Sequence, residues 1–331
     1  MSHVPLPSSN LQAFVFNQTY EAKGIISVEL RPIHPKGLFP AAEAGAHVDL
    51  HLGNGLVRSY SVTNPGDERR YVIAVLNDKN SRGGSRYIHE KLRVGQDIEI
   101  CVPRNHFKLD EAATHSVLLA GGIGVTPIYA MFQRLLSLDR SVEFIYCARS
   151  REEAAYVERI TSLATSGSTS KTPPYIRLHF NDEKGAAPDL ERLLAGRPLD
   201  THFYCCGPSP MLDAYEKACQ ALGQVHMHME RFSATKEVAP PEADTYYVEL
   251  RKSGRTLRVL PGVSLLDSLL QAGLKPDFSC REGICGACET KVISGEVDHH
   301  DHILTKQEKA ANKSMMICVS SCRSGTLVLE A

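Results

Sequence analysis

Cys280, Cys285 and Cys288 stand in CREGICGAC, a C-x4-C-x2-C run, and Cys318 follows in MICVS. Four thiolates at this spacing suit a pair of irons bridged by two sulfides. Gly283 and Gly286 let the backbone wrap closely and aim N–H groups at sulfur, which stabilises the extra negative charge of a reduced centre. A four-cysteine zinc site is the rival reading, but zinc usually takes paired C-x2-C knuckles, and only Cys285 and Cys288 form one. Cys322 lies nearby out of register and is read as packing. The run DHHDH, Asp298 to His302, also invites a metal. Adjacent residues on an extended chain cannot all face one ion, so it is read as solvated polar structure.

A second set of residues has the chemistry to hold phosphates. Arg58, in RSYSVTNP, offers charge-assisted bonds from a strand. Gly83, Gly84 and Ser85 open a helix, whose free N–H groups and dipole suit an anion. Gly121, Gly122 and Gly124, in GGIGVTPI, form a turn between an apolar strand and a helix expected from Pro127 to Leu136. There Thr126 can cap and Pro127 suits the first helical turn. Cys206-Gly207-Pro208 follows another apolar strand and opens another helix. Arg149, Ser150 and Arg151, after a further strand, could accept a 2′-phosphate, and no acidic ribose partner is evident there. Each motif alone has a plainer reading: a capped helix, an exposed strand, a buried Cys205–Cys206 pair.

The elements that must position these residues fall into three stretches. Up to about residue 108, short β-runs (Gly24 to Leu30, Ala46 to Leu52, Leu56 to Val62, Tyr71 to Leu76, Asp97 to Val102) are separated by glycine turns, with one short helix at Arg86 to Leu92, which suggests an antiparallel barrel. From Ser116, strands alternate with helices, the pattern of a doubly wound parallel α/β sheet. Residues 234–244 hold two prolines and no periodic apolar residues, as an interdomain linker would. A small α+β module completes the chain. The expected domains are 1–110, 111–233 and 245–331. With 37 Lys+Arg against 38 Asp+Glu, the net charge of −1 gives no sign of nucleic-acid binding. No stretch is long and apolar enough for a membrane span, and the N-terminus has no secretory pattern, so a cytoplasmic protein is expected. In that compartment the 10 cysteines are not disulfides by default. No nucleophile or zinc-hydrolase motif appears, which disfavours hydrolysis.

The last 85 or so residues resemble a plant-type [2Fe-2S] ferredoxin, a β-grasp module. RSYSV resembles the R-x-Y-S-[LV] signature of the ferredoxin-NADP reductase superfamily. The whole chain resembles the phthalate dioxygenase reductase family, which includes vanillate demethylase and quaternary-amine monooxygenase reductases. The resemblance implies FMN in the barrel, held by Arg58, Ser59, Tyr60, Ser61, Gly83, Gly84 and Ser85. Tyr60 and Ser61 would meet the flavin ring and its N5. Asn64, Asn105, Phe107 and Phe232 match neighbouring family positions. It further implies NADH at Gly121, Gly122, Gly124, Thr126, Pro127, Arg149, Cys206, Gly207 and Pro208, with Cys206 beside the nicotinamide, and the cluster on Cys280, Cys285, Cys288 and Cys318. Electrons would pass from NADH through flavin to the cluster and on to a separate Rieske-type oxygenase, the reductase itself being a monomer. Other acceptors, a diiron monooxygenase or a cytochrome, stay open, as does a redox-sensing role.

Overall fold

In the computed structural model, which describes residues 10–166, 173–233 and 244–331, the longest strand of the described residues lies where the sequence reading expects none. It is β1 (Leu11–Ala22), followed by β2 (Ile25–Pro32), β3 (His47–His51), β4 (Val57–Ser61), β5 (Tyr71–Leu76), helix α1 (Gly84–Glu90) and β6 (Asp97–Ile100). Register shifts between Val15 and Asn17 and between Tyr20 and Ala22 break the alternation of β1 and hid it from a period-2 reading. These strands form one antiparallel sheet in the order β4-β3-β6-β1-β2-β5. A bridge between Val62 and Ile73 brings its two edges together, so the sheet closes into a barrel. The interior holds Val15, Val28, Leu30, Val48, Leu50, Ile73, Val75 and Ile100, with Ile88 of α1 plugging one end. Each such side chain contributes about 1.5–3 kcal/mol on burial.

The chain continues through β7 (His115–Gly121), α2 (Val125–Ser137), β8 (Ser141–Ala148), α3 (Val157–Ser166), β9 (Tyr175–Phe180), α4 (Asn181–Lys184), α5 (Leu190–Leu194), β10 (His202–Cys206), α6 (Ser209–Ala221) and β11 (Met227–Glu230). The five strands are parallel, in the order β11-β10-β7-β8-β9. Successive residues of β7 serve opposite faces. Leu118 and Ala120 join a core with Val125, Ile128 and Phe132 of α2, while Val117 and Leu119 join one with Leu193 of α5 and Leu212 and Tyr215 of α6. The first of these cores also takes in Ala22, Ile25, Ala74 and Phe107 from the barrel region, so barrel and parallel sheet pack as one unit. The chain divides once, after Phe232. The linker expected at 234–244 lies outside the described residues except for Asp244.

The second unit contains β12 (Tyr246–Leu250), β13 (Arg255–Val259), α7 (Leu265–Gln271), β14 (Glu289–Ser294), β15 (Val297–Asp298), α8 (Lys306–Ala311), β16 (Ser314–Met316), β17 (Ser321–Cys322) and β18 (Thr326–Leu329). A mixed sheet, β13-β12-β18-β14-β16, has β12 and β18 parallel at its heart, the β-grasp arrangement. Helix α7 is capped by Ser264, whose hydroxyl accepts from the Asp267 N–H, and buries Leu265, Leu266 and Leu269 with Val248 and Leu327. Helix α8, absent from the sequence reading, starts at a capping box of Thr305 and Glu308.

Candidate cofactor and cluster sites

Strand β4 carries Arg58, Ser59, Tyr60 and Ser61 on the barrel's edge, paired with β3 alone. The alternation of a strand puts Arg58 and Tyr60 on one face and Ser59 and Ser61 on the other. The Arg58 side chain crosses the start of α1: a Cβ placed on Gly84 would stand 2.6 Å from Arg58 Cγ. Its Nη2 donates to the Arg82 carbonyl at 3.3 Å. Arg58 and the Gly83-Gly84-Ser85 turn, at least 25 residues away in sequence, are thus brought into one cradle. Burial pushes the Tyr60 phenol well up, against a smaller opposing effect of Arg58, and keeps it neutral. Ser59 turns away, its hydroxyl donating to Asp49 Oδ1 at 2.6 Å, and Arg104 pairs with the other Asp49 oxygen.

Ser61 is different. It is 4% exposed, and its Oγ has no hydrogen-bond partner among the described residues. A buried hydroxyl left unpaired costs about 1–3 kcal/mol, so its presence at this edge fits a cofactor that supplies the missing partner. Asn64 and Asn105 are held by backbone. Asn64 accepts from the Val72 N–H at 2.7 Å, and Asn105 accepts from the Phe107 N–H at 3.0 Å, so both shape the turns around the site.

The strand order runs from β7 outward through β8 and β9 on one side and through β10 and β11 on the other, which makes the gap between β7 and β10 a topological switch point. Ligands of open α/β sheets bind at that place, beyond the carboxyl ends of the strands. Both glycine turns meet there. A Cβ on Gly124 would lie 2.2 Å from the Cys206 carbonyl oxygen, and one on Gly121 would lie 2.8 Å from Pro208 Cδ. Only glycine permits this approach of Gly121 and Gly124 to Cys206, Gly207 and Pro208, while Gly122 between them takes a left-handed φ of +53° with open space around it. Helix α2 begins two residues earlier than expected, with Gly124 as its N-cap. The capping role expected of Thr126 is therefore not realised. Thr126 lies inside the helix and donates to the Ile123 carbonyl at 3.1 Å, because the glycine turn already supplies the cap. Pro127 does sit in the first turn, where its missing N–H costs nothing. The two halves of the unit touch farther along α2, where Gln133 donates to the Thr63 carbonyl at 2.6 Å.

Cys206 is fully buried and burial pushes its thiol far up, so it is a neutral packing surface and no thiolate. Across the β10–β11 pairing it stands opposite Glu230, a residue the sequence reading passed over. Glu230 Oε2 is sealed without a partner among the described residues, and burial raises its carboxyl from 4.5 to about 8. The available signal was positional: an acid at the end of a sheet strand, two residues before Phe232. Phe232 itself is 41% exposed. A carboxyl with a raised native pKa is protonated in the fold and ionised in the unfolded chain between about pH 4.5 and 8, so stability falls as pH rises through that window. Glu230→Gln should remove this loss. Melting temperatures of variant and parent should converge near pH 5 and separate in the variant's favour toward pH 8; parallel curves would mean that the carboxyl is not held neutral.

In the second unit the four cysteines form two thiol pairs, Cys280 with Cys285 and Cys288 with Cys318. Two pairs, each serving one iron, are what a [2Fe-2S] centre requires. The Cys285 thiol and the backbone N–H groups of Ile284 and Glu282 lower the Cys280 thiol, with Cys285 pushed up as its hydrogen-bonded partner. The Glu282 N–H reaches Cys280 Sγ at 3.2 Å. Gly283 is required twice: its φ is +67°, and a Cβ there would meet Val319 Cγ2 at 2.7 Å. Gly283→Ala should therefore lose most of its iron on purification while the first unit keeps its cofactors, as iron and flavin assays would show; full iron content would mean that the loop tolerates the side chain.

The solvated reading of DHHDH fits His300 and His302, which are exposed, and is corrected for Asp301 and the His299 side chain. Asp301 is buried, accepting from the Ile303 and Leu304 N–H groups at 3.1 and 2.8 Å, and His299 is buried beside it. Asp301 packs close to Gly283, where an added Cβ would lie 3.1 Å from Asp301 Cα.

A closed barrel with a phosphate cradle, a doubly wound sheet with glycine turns at its switch point and a four-cysteine β-grasp module together define a nicotinamide- and flavin-dependent iron–sulfur oxidoreductase. Residues 248–323 match the family model for a 2Fe-2S iron-sulfur cluster binding domain, and residues 101–229 match that for the N-terminal domain of dimethylamine monooxygenase subunit DmmA-like proteins. The chain is 44% identical over 326 residues to a tetrachlorobenzoquinone reductase of Sphingobium chlorophenolicum, covering 98% of this chain and 99% of that protein. It is 43% identical over 312 residues to a phenoxybenzoate dioxygenase subunit beta of Ectopseudomonas oleovorans, covering 94% of each. The solved structure of phthalate dioxygenase reductase, described as modular for electron transfer from pyridine nucleotides to [2Fe-2S], matches 98% of both chains with a TM-score of 0.68 and 33% identity. The chain belongs to the phthalate dioxygenase reductase family. None of its helices, among the described residues, is long and apolar enough to cross a membrane.

Proposed function

We propose that this chain is the cytoplasmic reductase component of a two-component Rieske-type oxygenase, with an FMN-binding barrel at 1–110, an NADH-binding domain at 111–233 and a ferredoxin domain at 245–331. The observation that carries the reading is the pairing of the four thiols in a module fused to a nicotinamide and flavin unit. When bound, NADH supplies a hydride, flavin converts it to single electrons and the cluster passes these on. The residues bind and orient. Arg58, Gly83, Gly84 and Ser85 hold the flavin phosphate, while Tyr60 flanks the ring and Ser61 directs its buried hydroxyl at N5. Ser59 acts through Asp49, fixing the two strands that carry this edge. Gly121, Gly122, Gly124, Thr126 and Pro127 shape the turn that takes the pyrophosphate, with Cys206, Gly207 and Pro208 bordering the nicotinamide, Arg149 at the ribose and Phe232 near the flavin. Cys280, Cys285, Cys288 and Cys318 hold the cluster.

The oxygenase partner is supported by the dioxygenase names of the relatives. The test is whether NADH reduces the Rieske centre of a purified Rieske-type oxygenase only when this chain is present. A second reading, direct reduction of a quinone, is favoured by the 44% identity to a tetrachlorobenzoquinone reductase. Fast NADH-dependent quinone reduction, together with no reduction of the Rieske centre, would establish it instead.

A further inference from the structure

We infer that Glu153 and Glu183 set the choice of NADH over NADPH, by neutralising in advance the two arginines that a 2′-phosphate would need. The inference rests on the nicotinamide reading of the switch-point crevice. With a pyrophosphate at the turn after β7, the adenosine ribose falls at the carboxyl end of the neighbouring parallel strand, about 20 residues beyond the glycines. That neighbour is β8, in register through Gly121 and Cys147, and Arg149 follows two residues later. By residue type alone, Arg149 and Arg151 would mark a 2′-phosphate site.

Their partners reverse that reading. Arg149 Nε lies 2.9 Å from Glu153 Oε2, and Arg151 Nε lies 3.3 Å from Glu183 Oε1. The Arg151 guanidinium also lies over the Phe180 ring at 4.5 Å, and Phe180 is buried, so both its face and its edge are occupied. The loops that carry the pairs are tied together by the Asp182 N–H, which donates to the Arg149 carbonyl at 3.0 Å. Both arginines are largely exposed, at 77% and 59% of the side chain, so an incoming nucleotide can reach them. A doubly charged 2′-phosphate would have to displace a carboxylate from each arginine and then remain beside it, with Asp182 adding further like charge. A 2′-hydroxyl meets no such repulsion. Specificity here comes from a built-in repulsive element.

The test is calorimetric titration of the holoprotein with 5′-AMP and with 2′,5′-ADP, in the parent and in Glu153→Gln, Glu183→Gln and the double variant. The parent should prefer 5′-AMP, and the double variant should shift the affinity ratio toward 2′,5′-ADP by about 10-fold or more, a gain that 0.5 M salt largely erases. The ratio of NADPH to NADH in flavin reduction should shift in the same direction. The single variants, each with one pair intact, should fall between. A ratio unchanged within about 2-fold, or both nucleotides strengthening together, would overturn the assignment. A parent that binds neither nucleotide would overturn the nicotinamide reading itself, and this inference with it.

Discussion

Cys285→Ser is expected to abolish NADH-driven reduction of cytochrome c, by about 100-fold or more, while NADH still bleaches the flavin at close to the parent rate. The expectation follows from the pairing of thiols. Cys285 is 5% exposed and pairs with Cys280, and on the proposed assignment the two share one iron, while Cys288 and Cys318 pair for the other. A serine hydroxyl is a harder and far less acidic ligand than a thiol, so the cluster should fail to assemble or lose its potential. The hydride path lies in the first unit, which has its own cores and should be untouched. Equal loss of both activities, measured by stopped-flow bleaching and steady-state reduction, would mean that Cys285 serves folding instead.

Ser61→Ala should slow NADH-to-flavin transfer by about 100-fold, the usual size of the effect when one pre-placed hydrogen-bonding group is removed from a reacting centre. Its second signature is thermodynamic. The Ser61 hydroxyl is buried without a protein partner, so in the flavin-free protein its removal should leave the melting temperature unchanged or raise it. In the flavin-bound protein the variant should melt lower than the parent, because the partner is then present and the bond is lost. A drop in the flavin-free melting temperature would assign the hydroxyl to the fold. Iron content and cluster spectrum should match the parent in either case.

How far the sequence alone reached depended on whether the relevant physics was local. The cysteine spacing is local, and it located the cluster loop, since a thiolate's neighbours are set within a few residues. The doubly wound sheet was legible because β7, β8 and β10 are buried on both faces and read as continuous apolar runs. Strand β1 was not, because two register shifts and the polar run Asn17, Gln18 and Thr19 break its alternation. The cradle of Arg58 on Gly84 and the contact of Gly124 with Cys206 are tertiary facts, for which the sequence offered residue types and no distances. Thr126 shows the limit of a motif: the residue type suits a cap, but the glycine before the helix had already taken the position. Arg149 and Arg151 make the same point for charge, since an arginine means something different once a glutamate is seen to hold it. Glu230 was invisible because nothing in the string HMHME says that it lies opposite Cys206 with a carboxyl oxygen buried and unpartnered among the described residues.

The central claim is a three-part relay on one chain, and an anaerobic NADH titration of the purified protein, followed by absorption with iron and released flavin quantified, tests it most directly. The account predicts about two irons and one FMN per chain, with the flavin and cluster bands both bleaching as NADH is added. Zinc in place of iron, or a protein without flavin whose spectrum NADH does not change, would contradict it.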